Sequence, residues 1–289
     1  MTIRKKGYSH WEKDLTCKRF PWWPITRWGI KLVFQKKFFK IFIFFSLFPA
    51  ILFLAGIYVS ERLEDFQFMI QKGASFLKIN PHYFHSYFTN NFLFFSIVIL
   101  LVFCASGLMA DDIKYRAMQL YFSRPLKRKD YFMGKIAVPA FFLFILTLIP
   151  GLILFIMKLI FSGSFQFIRN FPWLILSIIG YSFIVTLFFS LYALLLSSVS
   201  KDRRYTAVLI FGIYYFSDIL SGILFGIFKE RNLFLFSLKA NINQIGAMMF
   251  GQSPKLEVHW IISFVILGSI GVIAAIILSK KIRGIEVFH

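Results

Sequence analysis

Six apolar runs divide the chain, at 39–59, 91–110, 136–161, 172–199, 205–228 and 258–279. Each has about the 20 residues that an α-helix needs to cross a hydrocarbon core roughly 30 Å thick. In lipid, backbone amides and carbonyls must be paired within the segment or around a closed barrel. Barrel strands are about 10 residues of strict alternation. Here 141–149 is apolar at every position except Thr147, which no alternating strand would be. The pattern therefore predicts an all-α integral membrane protein with six transmembrane helices. Pro139 and Pro150 predict a kink in the third, because proline has no amide proton and crowds the preceding turn. The fourth run is long enough to tilt or to project beyond the lipid.

Ahead of the first run, residues 22–40 (WWPITRWGIKLVFQKKFFK) interleave aromatics with Lys and Arg. Trp22, Trp23 and Trp28 suit the headgroup region, where an indole has one wet side and one apolar side. Pro24 can open a helix at its first turn. Ile25, Trp28 and Leu32 give an irregular apolar face beside Arg27, Lys31 and Lys36. We read a short amphipathic helix lying in the interface, the alternative being a disordered basic anchor. The organisation is then an N-terminal segment (1–38), a six-helix membrane domain (39–279) and a tail (280–289).

Composition agrees with lipid as the solvent: of 289 residues 58% are hydrophobic, with mean hydropathy +0.71. A formal charge of +20 invites a nucleic-acid reading until the charges are placed. The segments at one side of the six runs hold 24 Lys and Arg, those at the other side 8, and Lys158 lies near the end of the third run. By the positive-inside rule both termini and the 111–135 loop are cytoplasmic. Anionic lipid then accounts for the basicity, and no nucleic-acid partner is expected. Lys158 is expected to snorkel outward. The first run starts too late for a secretory signal. Cys17 and Cys104 lie too far apart in this topology to form a disulfide framework.

The 111–135 loop, DDIKYRAMQLYFSRPLKRKDYFMGK, is too short to hold a catalytic core but can present a contact surface. It resembles the first cytoplasmic loop of ABC-2 type transporter permeases. There an acidic-basic helix precedes a phrase of the form S-x-P-x-x-R-x-x-y-x-x-G-K, matched here by Ser123, Pro125, Arg128, Tyr131, Gly134 and Lys135. The N-terminal helix, six crossings with both ends inside, and the segment 236–251 before the last crossing are similar as well. The resemblance implies the pore subunit of an exporter in a bacterial cytoplasmic (inner) membrane. It further implies a dimer with a second permease copy or paralogue, and a separate cytosolic ABC ATPase subunit. Residues 111–122 would be the coupling helix in a cleft of that ATPase. Asp111, Asp112, Lys114 and Arg116 would make directional polar contacts, and Tyr115, Met118, Leu120 and Tyr121 buried anchors. Pro125 would end the helix and Arg128 would lie in the return to the membrane.

The chain carries no nucleotide-binding loop of its own. Gly134-Lys135 is preceded by Lys129 where the first glycine must stand, and followed by Ile136. The expectation is a non-enzyme without cofactor, ATP and Mg being bound by the partner. Within the membrane, Tyr214, Asp218, Gly222 and Gly226 recur every four residues. They read either as a polar patch on the translocation path or dimer seam, or as an acid hydrogen-bonded within the bundle. Ser182, Thr186, Ser190 and Ser197 share one face; they line a substrate path or bond back to their own helix. His82 and His85 lack a third metal ligand. An ATP-independent transporter or channel, or a membrane scaffold, are the other classes the composition allows.

Overall fold

The computed structural model describes residues 20–62, 79–122, 126–163, 165–254, 256 and 258–284. Among them all regular structure is helical. Six helical stretches are long and apolar enough to cross a membrane: Lys37–Glu61, Pro81–Cys104, Arg128–Ser162, Leu174–Val199, Arg203–Phe228 and Trp260–Lys281. This is the make-up of a multi-pass membrane protein.

In chain order, α1 is Trp23–Phe34, with Pro24 in its first turn. The first membrane-length stretch is α2 (Lys37–Ser46) and α3 (Phe48–Arg62), broken at Leu47 ahead of Pro49. The second is α4 (Pro81–Phe88) and α5 (Asn91–Cys104). It begins well before the apolar run at 91–110. Asn80 and Asn90 cap its two parts by accepting from the amides of Tyr83 and Phe92. Two short helices follow, α6 (Ala110–Lys114) and α7 (Ala117–Phe122).

The third stretch is α8 (Arg128–Leu146) and α9 (Leu148–Ser162). The helix continues through Pro139 and breaks at Thr147. Pro150 cannot donate to the carbonyl of Leu146, four residues back. The Tyr87 hydroxyl of α4 donates to that carbonyl instead, at 3.1 Å. A buried tyrosine thus satisfies an acceptor left over by the proline. After α10 (Gln166–Asn170) come α11 (Leu174–Val199) and α12 (Arg203–Phe228). A 3-10 turn at Arg231–Phe236 leads to α13 (Leu238–Met249), and α14 (Trp260–Gly284) closes the chain.

The bundle is tied by groups that lipid cannot satisfy. Tyr83 donates to the carbonyl of Phe53 at 2.6 Å, and Tyr192 to that of Ile210 at 2.9 Å. Between the ties, rings meet edge to face, as Phe39 with Phe142 at 4.9 Å and Phe88 with Tyr181 at 5.2 Å. Apolar burial drives little association in lipid, so packing and polar ties hold such helices together.

The connecting segments sort to two ends. At one end, Lys36 donates to Phe103 O at 2.7 Å, Thr26 to Gly134 O at 3.1 Å, and Lys281 to Ser198 O. This end carries α1, residues 105–122 and 126–127, the 200–202 turn and the end of α14, and it is rich in Lys and Arg. We call it the basic end. At the other end, Ser177 donates to Met249 O at 2.6 Å and Lys158 pairs with Glu61. Lys158 does not snorkel: it is buried, 5.2 Å from the centroid of Phe167, with its ammonium on the Glu61 carboxylate. The carboxylate attracts that ammonium more strongly than the route outward does.

Candidate functional site

The segment between α5 and α8 folds back onto the basic end. α5 stops at Cys104, and the chain turns through 105–109 into α6. The first amides of a helix have no partner within it, and α6 has no capping side chain of its own. Ser197 of α11 supplies one from outside. Its hydroxyl accepts from the amides of Met109 at 3.0 Å and Ala110 at 3.1 Å, and donates to Ser106 O at 3.0 Å. One buried serine therefore closes the turn and starts α6. Of the serine face on α11, Ser197 bonds the turn after α5 and, among the described residues, not its own helix. Ser182, Thr186 and Ser190 are buried with no hydrogen-bond partner among the described residues.

Asp112 is the centre of the site. Its carboxylate accepts from Lys135 Nζ at 2.6 Å and from Tyr131 Oη at 2.6 Å, both on α8. Lys135 also donates to Leu108 O at 2.8 Å and lies 5.5 Å and 5.6 Å from the ring centroids of Tyr131 and Tyr121. The two charged side chains are 13% and 8% exposed. Burial, with the Asp112 charge adding, raises the Tyr121 phenol above its usual range, so it stays neutral. Beneath this knot Met109, Met118, Tyr131, Leu194 and Leu278 form a buried cluster shared by the loop, α8, α11 and α14.

The residues expected to grip a partner therefore divide in two. Asp112, Met118 and Tyr121 face their own bundle. Met118 is 1% exposed, because its side chain fills that internal cluster and offers the surface no anchor. Lys114, Tyr115 and Arg116 point outward, Tyr115 being 72% exposed. Arg116 ends α6 in the left-handed region, φ 54°, a conformation that costs a non-glycine residue about 1 kcal/mol or more. This turn lifts Tyr115 clear of the bundle. Lys114 meets Asp202 at 3.2 Å in an exposed pair. The Arg204 amide and then Lys114 hold the Asp202 carboxyl below the usual carboxylate range. Asp111 is half-buried beside Gly107 and Arg203, and Arg128 is exposed at the start of α8. Pro125 and the side chain of Leu120 lie outside the described residues.

The second candidate group does not come together. Tyr214 is buried, whereas a Cβ built on Gly222 or Gly226 would meet nothing within 4 Å. Asp218 is not isolated. Its carboxylate accepts from Ser237 Oγ at 2.8 Å and lies 3.9 Å from Lys239 Nζ, and its side chain is 39% exposed. Ser237 also caps α13 by accepting from the Ala240 amide. The Ser221 hydroxyl bonds the Asp218 backbone carbonyl and not its carboxylate. Asp218 thus joins α12 to the start of α13.

Sequence reasoning missed Ser197, Thr26 and Lys36 as supports of the loop. Lys36 is half-buried on Phe103 O, and burial, with Arg203 adding, pushes its ammonium down to about 8. Tyr131 and Lys135 stood in the motif, but the motif did not say that both hold Asp112. Among the described residues no cluster of His, Cys, Asp or Glu could hold a metal ion. No protein-family model matches the chain, and no curated protein matches it.

Proposed function

We propose that this chain is the membrane-spanning permease subunit of an ATP-driven transporter of the ABC-2 type, working as an exporter in a bacterial cytoplasmic membrane. The observation that carries the reading is the mounting of the 105–122 segment. Its inner side is fixed to α8 by Asp112 and to α11 by Ser197, while Tyr115 and Arg116 are exposed to be gripped. Such a segment transmits a push instead of absorbing it. The excess of Lys and Arg at the same end supports placing that end in the cytoplasm.

In this account a cytosolic ABC ATPase binds ATP and Mg and closes on itself. The closure displaces Tyr115 and the left-handed turn at Arg116. The ion pair Asp112–Lys135 passes the displacement to α8, and Ser197 passes it to α11. A second permease copy or a paralogue completes the pathway. The open apolar face of α12, with Gly222 and Gly226 in it, allows close helix approach there.

The test is Tyr115→Ala combined with Arg116→Gly. Glycine suits the left-handed backbone, so the fold is kept while both outward side chains go. We expect the co-purifying ATPase to be lost and the yield of folded permease to be unchanged. Full retention of the ATPase, with transport-coupled hydrolysis intact, would show that this turn is not the grip.

A further inference from the structure

We propose that the outward face of α1 binds the headgroups of anionic phospholipids. The proposal rests on the membrane placement given above and not on the ATPase partner. α1 has two unlike sides. One is consumed by α8: Thr26 donates to Gly134 O at 3.1 Å, and Thr26 and Val33 are buried. The backbones are in near contact there. A Cβ on Gly134 would lie 2.9 Å from Ile25 Cβ and 3.0 Å from Trp22 O, and one on Gly29 would lie 2.6 Å from a methyl of Val138.

The opposite side carries Trp23, Arg27, Trp28, Lys31 and Leu32, all exposed. Lys31 Nζ lies 5.3 Å from the centroid of the Trp28 ring. Among the described residues no carboxylate pairs with Arg27 or Lys31, and the sequence has no Asp or Glu between Asp14 and Glu61. Among the described residues the positive charge of this face is therefore uncompensated. Just past the break at Gln35 and Lys36, α2 exposes Phe38, Ile41 and Phe44 on a membrane-length stretch. The boundary between headgroups and acyl chains thus falls at the α1–α2 junction. That places Trp23 and Trp28 where indoles partition and puts Arg27 and Lys31 at phosphate depth. The partner that complements this face in both charge and polarity gradient is a negatively charged lipid surface. By way of Thr26 and Gly134, a headgroup held there would steady the start of α8, where the loop returns to the bundle.

The full chain, reconstituted in vesicles of mixed phosphatidylcholine and phosphatidylglycerol, tests this by tryptophan quenching. Bromine is carried on one lipid or on the other at equal mole fraction, and the Trp28 contribution is taken as the difference from Trp28→Phe. We expect brominated phosphatidylglycerol to quench Trp28 about twofold more strongly than brominated phosphatidylcholine. Arg27→Gln with Lys31→Gln should abolish the preference and leave quenching by phosphatidylcholine. Equal quenching of the unmodified chain by both lipids, or a preference that survives the double substitution, overturns the proposal while the membrane placement stands. Quenching by neither lipid overturns both, since α1 would then lie off the bilayer.

Discussion

Asp112→Ala lowers the unfolding free energy of the permease by about 3 kcal/mol or more, measured in mixed micelles. Removing one member of a buried ion pair costs about 3–5 kcal/mol, because the other charge stays buried without its partner. Here the charge left behind is Lys135, which among the described residues keeps only Leu108 O and two ring faces. The Tyr131 hydroxyl loses its acceptor in the same step. Asp112→Asn costs less, since the amide oxygen still accepts from Tyr131. Lys114→Ala is the contrast: its pair with Asp202 is 44% and 38% exposed, so water screens it and its loss costs little. Equal losses from Asp112→Ala and Lys114→Ala would show that the knot does not hold the loop.

Lys158→Met also lowers the unfolding free energy, at the opposite end of the bundle. It removes the ammonium from the Glu61 carboxylate at the α3–α9 contact, where Lys158 also lies 5.2 Å from the centroid of Phe167. Glu61→Gln added to Lys158→Met should recover at least half of the loss, because a neutral amide is far cheaper to bury than a carboxylate. If the single and double variants unfold alike, the pair does not join α3 to α9. The signature of a buried pair is this recovery, which a snorkelling lysine would not produce.

The six membrane-length helices were legible because lipid leaves the backbone only one local solution, and twenty apolar residues in a row announce it. The break at Thr147 was legible in kind, since Pro150 must free the carbonyl of Leu146. The second stretch was read too short because His82, His85, Ser86 and Asn90 dilute the hydropathy of a helix that burial and asparagine caps nonetheless build. Side-chain partners far apart in sequence were not legible. Lys158 and Glu61 are 97 residues apart, and Ser197 lies 88 from Met109. Periodicity shows that 111–122 is amphipathic but not which face turns inward. Met118 therefore read as a partner's anchor when it fills this chain's own core, and Tyr115 is the residue left outside. For Asp218 the partners, Ser237 and Lys239, come from the next element, which the spacing within its own helix does not show.

The central claim is that the turn at Tyr115 and Arg116 faces the cytoplasm, where an ATPase can reach it. The most direct measurement is labelling of Tyr115→Cys, in a chain whose Cys17 and Cys104 are replaced, with a membrane-impermeant maleimide. The account predicts strong labelling in inverted membrane vesicles stripped of peripheral ATPase and none in intact cells. Labelling from outside intact cells would contradict it.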